Sequence, residues 1–138
     1  MGFLYADGSN YTPKQTVSIS LEEKDKYILD RMCEELEYNK PLDYLDYSNK
    51  NDFGYHYSNQ YRLSIFSKHI SDTLSEKGVV KNKSLILKFP TCIRSDLLKF
   101  FVLGYFDGDG SFCPQYTEKG KFQPLITFTS TESFCIDL

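Results

Sequence analysis

An α+β fold assembled from a repeated helix-and-strand unit is what this sequence predicts, and three observations predict it. First, Gly2-Phe-Leu-Tyr-Ala-Asp-Gly-Ser9 returns as Gly104-Tyr-Phe-Asp-Gly-Asp-Gly-Ser111, an offset of 102, with Asp-Gly-Ser in register at the end. Second, Val17-Ser-Ile-Ser20 with Glu23 parallels Ile126-Thr-Phe-Thr129 with Glu132 at an offset of 109, so the second copy keeps the order of elements and lengthens one loop by seven residues. Third, apolar residues recur with a period of two in some segments and near 3.6 in others, which calls for strands and helices in one chain.

Taken in order, each Asp-Gly-Ser closes a helix, and a strand follows near residues 14–21. Its alternation puts Val17, Ile19 and Leu21 on one face and Lys14, Thr16, Ser18 and Ser20 on the other. Ser20-x-x-Glu23 and Thr129-x-x-Glu132 read as capping boxes. From Glu22 to about Tyr38, apolar residues at 28, 29, 32, 33 and 36 form one helical stripe, ended by Asn39 and Pro41. Strands are expected at Leu42–Tyr47 and Gln60–Phe66, joined by the polar stretch Ser48–Asn59, and then a helix capped by Ser67 with Gly78 beyond its end. Residues 79–94 form a connector containing Pro90, and Ser95 caps a helix to about Phe106, with Leu97, Leu98, Phe101 and Tyr105 at helical spacing. Residues 1–94 thus make one unit and 95–138 the start of a second. Nine residues of helix precede Gly104 but only Met1 precedes Gly2, and the second copy has 35 residues, so the chain reads as a fragment of a longer protein.

Composition bounds the function. With 138 residues, 41% hydrophobic and 25% charged, the chain can bury a core and is neither disordered nor collagen-like. The longest apolar stretch, Leu97–Phe106, is broken by Lys99 and Gly104 and is too short to span a bilayer. No signal peptide opens the sequence, and Cys33, Cys92, Cys113 and Cys135, with no CxxC pair, read as reduced thiols of an intracellular protein. Sixteen Lys and Arg against 19 Asp and Glu leave a net charge of -3, so nucleic-acid binding requires a local basic surface.

The repeated segment carries the chemistry. Gly2 and Ala6, like Gly104 and Gly108, are small residues four apart on one helix face, where two backbones can approach closely. Asp7 and Asp109 fall in the last turns of these helices, against the helix dipole. If the helices pair, the two acids meet, and a proton or a divalent cation relieves their repulsion; oxygen ligands favour Mg²⁺ or Ca²⁺. Each Asp-Gly-Ser could also be a simple turn.

Phe101-Val-Leu-Gly-Tyr-Phe-Asp-Gly-Asp-Gly-Ser-Phe112 and Gly2-Phe-Leu-Tyr-Ala-Asp-Gly8 resemble the two signature helices of the LAGLIDADG homing endonucleases of introns and inteins, in their double-motif form. The resemblance extends to the strand and helix after each copy. It implies an αββαββα saddle astride duplex DNA, here one near-complete repeat plus the start of a second, whose intact form is a monomer with two pseudo-symmetric repeats. It implies site-specific, Mg²⁺-dependent hydrolysis of DNA phosphodiester bonds, with weak or no activity from a fragment. The metal site is carried over to Asp7 and Asp109 with the adjoining Gly8 and Gly110. Leu21-Glu22 and Ser130-Thr131 stand where some relatives carry Gln-Lys.

Phosphate and base-edge donors are expected from Lys14, Thr16, Ser18, Arg62 and Ser64 in the first copy and Lys119, Lys121, Gln123 and Thr127 in the second. Alternating polar residues also describe a solvated sheet face. Lys68 is a candidate basic residue near the scissile phosphate or a first-turn surface lysine. Two other readings remain: a LAGLIDADG-type RNA maturase or DNA-binding regulator that does not cut, and a calcium loop, since Asp107, Asp109, Ser111 and Glu118 fall at positions 1, 3, 5 and 12 of an EF-hand, though Phe112 and Pro114 break that pattern.

Overall fold

The first copy of the motif forms helix α1 (Gly2–Ala6), and the second ends helix α4 (Leu98–Asp109). In the computed structural model, which describes residues 1–52 and 55–138, α1 leads into β1 (Gly8–Tyr11), β2 (Thr16–Glu22), α2 (Lys26–Glu35) and β3 (Asp43–Leu45). A short ribbon of β4 (Asn51–Asp52) and β5 (Tyr55–His56) is inserted before β6 (Gln60–Phe66) and α3 (Lys68–Glu76). Setting the ribbon aside, this is the anticipated αββαββα order. A connector then reaches α4, followed by β7 (Gly110–Cys113), β8 (Leu125–Phe128) and α5 (Glu132–Asp137), the opening elements of the same order again. Among the described residues no helix is long and apolar enough to cross a membrane.

Strands β1, β2, β6 and β3 lie side by side in that order, all antiparallel, while β7 and β8 form a separate two-stranded sheet. The two hairpins keep one register. Gly8 faces Ile19, Ser9 faces Ser18 and Asn10 faces Val17; in the second copy Gly110 faces Phe128, Ser111 faces Thr127 and Phe112 faces Ile126. Each pair maps onto its counterpart through the offsets 102 and 109, so the seven extra residues are absorbed wholly in the β7–β8 loop.

Alternation in β2 buries Val17 and Ile19, and Leu63 of β6 joins them. Ile19, Leu63 and Leu29 of α2 form one core, against which Met32 and Cys33 pack, as the helical stripe requires. A second, aromatic core joins Tyr5, Phe101, Tyr105 and Phe134 with Val17, Leu74, Val79 and Leu87. Tyr5 meets Phe101 edge-on at 5.1 Å, and the rings of Tyr105 and Phe134 lie 4.5 Å apart. Between α1 and α4 the backbones touch: a Cβ on Gly2 would collide with the Phe101 carbonyl and stand 2.7 Å from the Tyr105 nitrogen, and one on Gly104 would stand 3.1 Å from the Phe3 nitrogen. The small residues are therefore a steric requirement of the helix pair.

Several local expectations give way to tertiary structure. The αββαββα order calls for β1 and β7, but their own residues do not mark them; sequences such as Gly-Ser-Asn-Tyr are weak strand formers, and pairing with β2 and β8 recruits them. Lys14 lies in a 3-10 turn (Thr12–Lys14) before β2, not on the strand. The capping boxes do not form. Ser20 remains in β2, where its hydroxyl accepts from Arg62, and α5 is capped by Thr131, whose oxygen accepts from the Phe134 nitrogen. Helix α2 is shorter than the expected Glu22–Tyr38: Glu23–Asp25 is a 3-10 turn, and the helix stops at Glu35, leaving Leu36 of the stripe exposed. Ser95 opens another 3-10 turn without a capping bond, and Leu97 and Leu98 stay exposed. Ser67 caps α3 as expected, its hydroxyl oxygen accepting from the Ile70 nitrogen, and Gly78 follows with a φ of +88°.

Candidate functional site

The crossing of α1 and α4 places the two motif acids. Asp7 is the last-turn residue after α1, and its carboxyl lies against α4, where a Cβ on Gly108 would come within 2.6 Å of Asp7 Oδ2. Asp109, the next residue of α4, is close enough that its charge acts on Asp7. Loss of solvent around the carboxyl, then the charge of Asp109, push the Asp7 pKa above its ordinary 3.8, and Lys83 offsets part of that rise. Asp7 retains an exposed surface and Asp109 is partly buried, so both acids are within reach of a solute.

Lys83 completes this cluster, and sequence reasoning missed it. Asn82, in the left-handed conformation with φ 57°, starts the turn Lys83–Leu85 that turns the Lys83 side chain inward. The residue is 9% exposed, and its Nζ donates to the Ala6 carbonyl at 2.7 Å, across 77 residues of sequence. Burial lowers its pKa, while Asp109 and Asp7 act in the opposite direction. Two further bonds tie the connector to the first motif: the Tyr5 hydroxyl donates to the Lys77 carbonyl, and Asn10 Nδ2 donates to the Val79 carbonyl at 3.0 Å. A lysine in Lys-Asn-Lys-Ser reads as a solvated surface residue, and nothing local marks it.

Lys68 lies elsewhere: it opens α3, exposed, in an ion pair of 2.6 Å with Asp72 one turn on. Gly8 and Gly110 begin β1 and β7, directly after the acids, facing Ile19 and Phe128 across the ladders. The main-chain oxygen that meets Lys83 is that of Ala6. Among the described residues no group of three or more His, Cys, Asp and Glu side chains gathers in one place, so the acids at this site are the pair Asp7 and Asp109. The EF-hand reading does not survive, since α4 continues through Asp109 and Gly110–Cys113 is a strand.

The polar face of the four-stranded sheet carries Ser9, Ser18 and Ser64 in one cross-strand row and Ser20, Arg62 and Asp43 in the next, with Thr16 beyond. It is richer in hydroxyls than in cations. In the second copy Thr127 faces Ser111 with their hydroxyl oxygens 2.7 Å apart. Lys119 and Lys121 lie not on the strands but in the turn that closes the long loop, where Gly120 has φ +73° and the Thr117 nitrogen donates to the Lys121 carbonyl at 2.8 Å; Gln123 pairs with the Gln115 main chain just below.

No protein-family model and no curated relative matches this chain. Among solved structures it is similar to the meganuclease I-SmaMI bound to uncleaveable DNA, at a TM-score of 0.43 and 16% identity over 91% of this chain and 63% of that one. It is also similar to the LAGLIDADG homing endonuclease I-SmaMI bound to cleaved DNA, at 0.41 and 14% over 91% and 62%. The chain therefore spans less than two thirds of the length of the structures it matches.

Proposed function

We propose that this chain is part of a LAGLIDADG-type endonuclease that hydrolyses phosphodiester bonds in duplex DNA with the aid of a divalent metal ion. One observation carries the reading: two helices in glycine contact bring Asp7 and Asp109 together beside the buried Lys83. A helix pair kept only for packing gains nothing from carboxylates at its C-terminal ends, where the dipole disfavours them. The recurrence of such an acid in both copies of the motif points to a cationic ligand.

The donors fit magnesium, which is commonly held by one or two carboxylates and completes its shell with water and substrate phosphate. Asp7 and Asp109 would hold it, with main-chain oxygen from the motif ends (Ala6, or Gly8 and Gly110). Bound there, the ion supplies an activated water and stabilises the leaving oxygen. Lys83, buried with its Nζ on the Ala6 carbonyl, contributes a positive charge that partly neutralises the acids. The hydroxyl-rich sheet face takes the bases, and Lys14 before β2 with Lys119 and Lys121 in the turn of the long loop take the phosphates.

The test is nicking of supercoiled plasmid with Mg²⁺, measured with duplex binding, for the intact endonuclease that contains this chain and for its Asp7→Asn and Asp109→Asn variants. Loss of nicking in both variants with binding retained supports the reading. Full activity in Asp109→Asn ends it, and binding without metal-dependent nicking in the wild type favours a DNA-binding regulator.

A further inference from the structure

Across the middle of the polar sheet face, two opposite charges stand side by side without pairing. Arg62 of β6 lies directly between Ser20 of β2 and Asp43 of β3. Opposite charges facing one another on adjacent strands stabilise a sheet when they pair. Here no such pair forms among the described residues. Arg62 turns the other way, its Nε donating to Ser20 Oγ at 3.0 Å, while Asp43 is held by Ser64, whose hydroxyl donates to Asp43 Oδ2 at 3.0 Å. Two serines thus hold the guanidinium and the carboxylate apart, each in a fixed orientation. The two terminal nitrogens of Arg62 and the second oxygen of Asp43 have no protein partner among the described residues.

This leaves a donor fork next to an acceptor, about one strand spacing apart, on an open face. A phosphate would meet the fork but be repelled by the carboxylate. A G·C pair seen from the major groove meets both, because guanine offers O6 and N7 as acceptors and the neighbouring cytosine offers its 4-amino group as a donor. We propose that Arg62 and Asp43 together read one G·C base pair in the major groove, Arg62 donating to guanine and Asp43 accepting from cytosine. The inference rests on the DNA-binding reading above and specifies it at one base pair. Ser20 and Ser64 are positioning residues that set the two reading groups before DNA arrives, so that little side-chain freedom is lost on binding.

The experiment is selection of binding sites from a randomised duplex library at fixed salt, with the 138-residue chain and its Arg62→Lys, Arg62→Ala and Asp43→Ala variants. The wild type is expected to select a site containing an invariant G·C position, and Arg62→Ala and Asp43→Ala are expected to relax that same position, by about tenfold to a hundredfold in discrimination, leaving the others unchanged. Arg62→Lys keeps the charge but not the fork, so it too relaxes that position while affinity for unrelated sequence holds. A uniform loss of affinity across sequences, with a shallower salt dependence, makes Arg62 a phosphate contact and overturns the proposal. Relaxation at two different positions overturns it as well. Failure of the wild type to enrich any sequence removes the DNA-binding reading itself, a result distinct from both.

Discussion

The two hairpins that follow the repeated motif share a register residue for residue, yet one is buried and the other is not. In the first, Val17 and Ile19 are each 3% exposed; their counterparts Ile126 and Phe128 differ, with Ile126 at 58% and its neighbour across the ladder, Phe112, at 54%. The exposed hairpin is the more apolar of the two, with Phe112, Cys113, Leu125, Ile126 and Phe128 in its strands. What differs is cover: β2 is flanked by β1 and β6 and lies under α2, whereas β8 has β7 alone as a strand partner among the described residues. The repeat therefore dictates strand pairing, while burial depends on which other elements reach the same face. At the helix ends the two copies are equal again, because α1 and α4 supply each other's cover.

The largest effect tests that equality. If the two motifs contribute alike, Asp7→Asn and Asp109→Asn each reduce Mg²⁺-dependent cleavage by a hundredfold or more, since either change removes one of two charges that hold the ion, while duplex affinity stays within about twofold. Activity lost in one variant and kept in the other would show that the motifs, alike in backbone, differ in chemistry.

Next in size is the helix contact itself. Gly2→Ala places a methyl group into the Phe101 carbonyl and the Tyr105 nitrogen, both backbone, so one helix must move; Gly104→Ala meets only the Phe3 nitrogen at 3.1 Å. Overpacking of this kind costs about 1–3 kcal/mol, and the larger share is expected at Gly2. Thermal melts of the two variants measure the asymmetry, and equal losses would mean that the helices separate as a unit.

The same contrast explains what the sequence could and could not reveal. Strand Gln60–Phe66, the Ser67 cap and the glycine-faced helices were legible because period, cap chemistry and repetition are local signals. Strands β1 and β7 were not, being four-residue segments of low strand propensity whose only support is the neighbour they pair with. Lys83 escaped for the same reason on a larger scale: its partner, the Ala6 carbonyl, is 77 residues away, and only the folded connector brings them together. Ser20 was misread as a cap because its hydroxyl serves Arg62, a cross-strand partner 42 residues distant. Asp7 and Asp109 were legible as a pair because Asp-Gly-Ser recurs in register in the two copies.

A smaller effect sharpens the difference in cover. Amides of β2 and β6, in the middle of a four-stranded sheet beneath α2, should exchange at least tenfold more slowly than those of β7 and β8, whose apolar side chains remain open to water. Hydrogen exchange followed by mass spectrometry gives both rates in one experiment. Equal protection would mean that the β7–β8 hairpin draws its stability from α4 and α5 and needs no further cover.

The smallest effect concerns the charge of Asp7. Its folded pKa is raised above the ordinary 3.8, first by desolvation and then by Asp109, with Lys83 only partly offsetting the rise. A raised carboxyl pKa means that the folded chain holds the proton more tightly than the unfolded one, so stability is highest below pH 3.8 with respect to this group and falls as pH rises through the folded pKa. Asp7→Asn keeps the shape and removes the ionisation, so the variant should match the wild type near pH 3 and melt slightly higher at pH 7 in the absence of divalent metal. Because Asp7 retains an exposed surface, screening keeps the gain to a degree or two at most, roughly what a partly solvated charge contributes. Added Mg²⁺ should reverse the order, stabilising the wild type through a charge that the variant lacks. A variant less stable than the wild type at pH 7 without metal would mean that attraction to Lys83 outweighs repulsion by Asp109, and the two acids would then be a counter-ion for the lysine before they are a site for a metal.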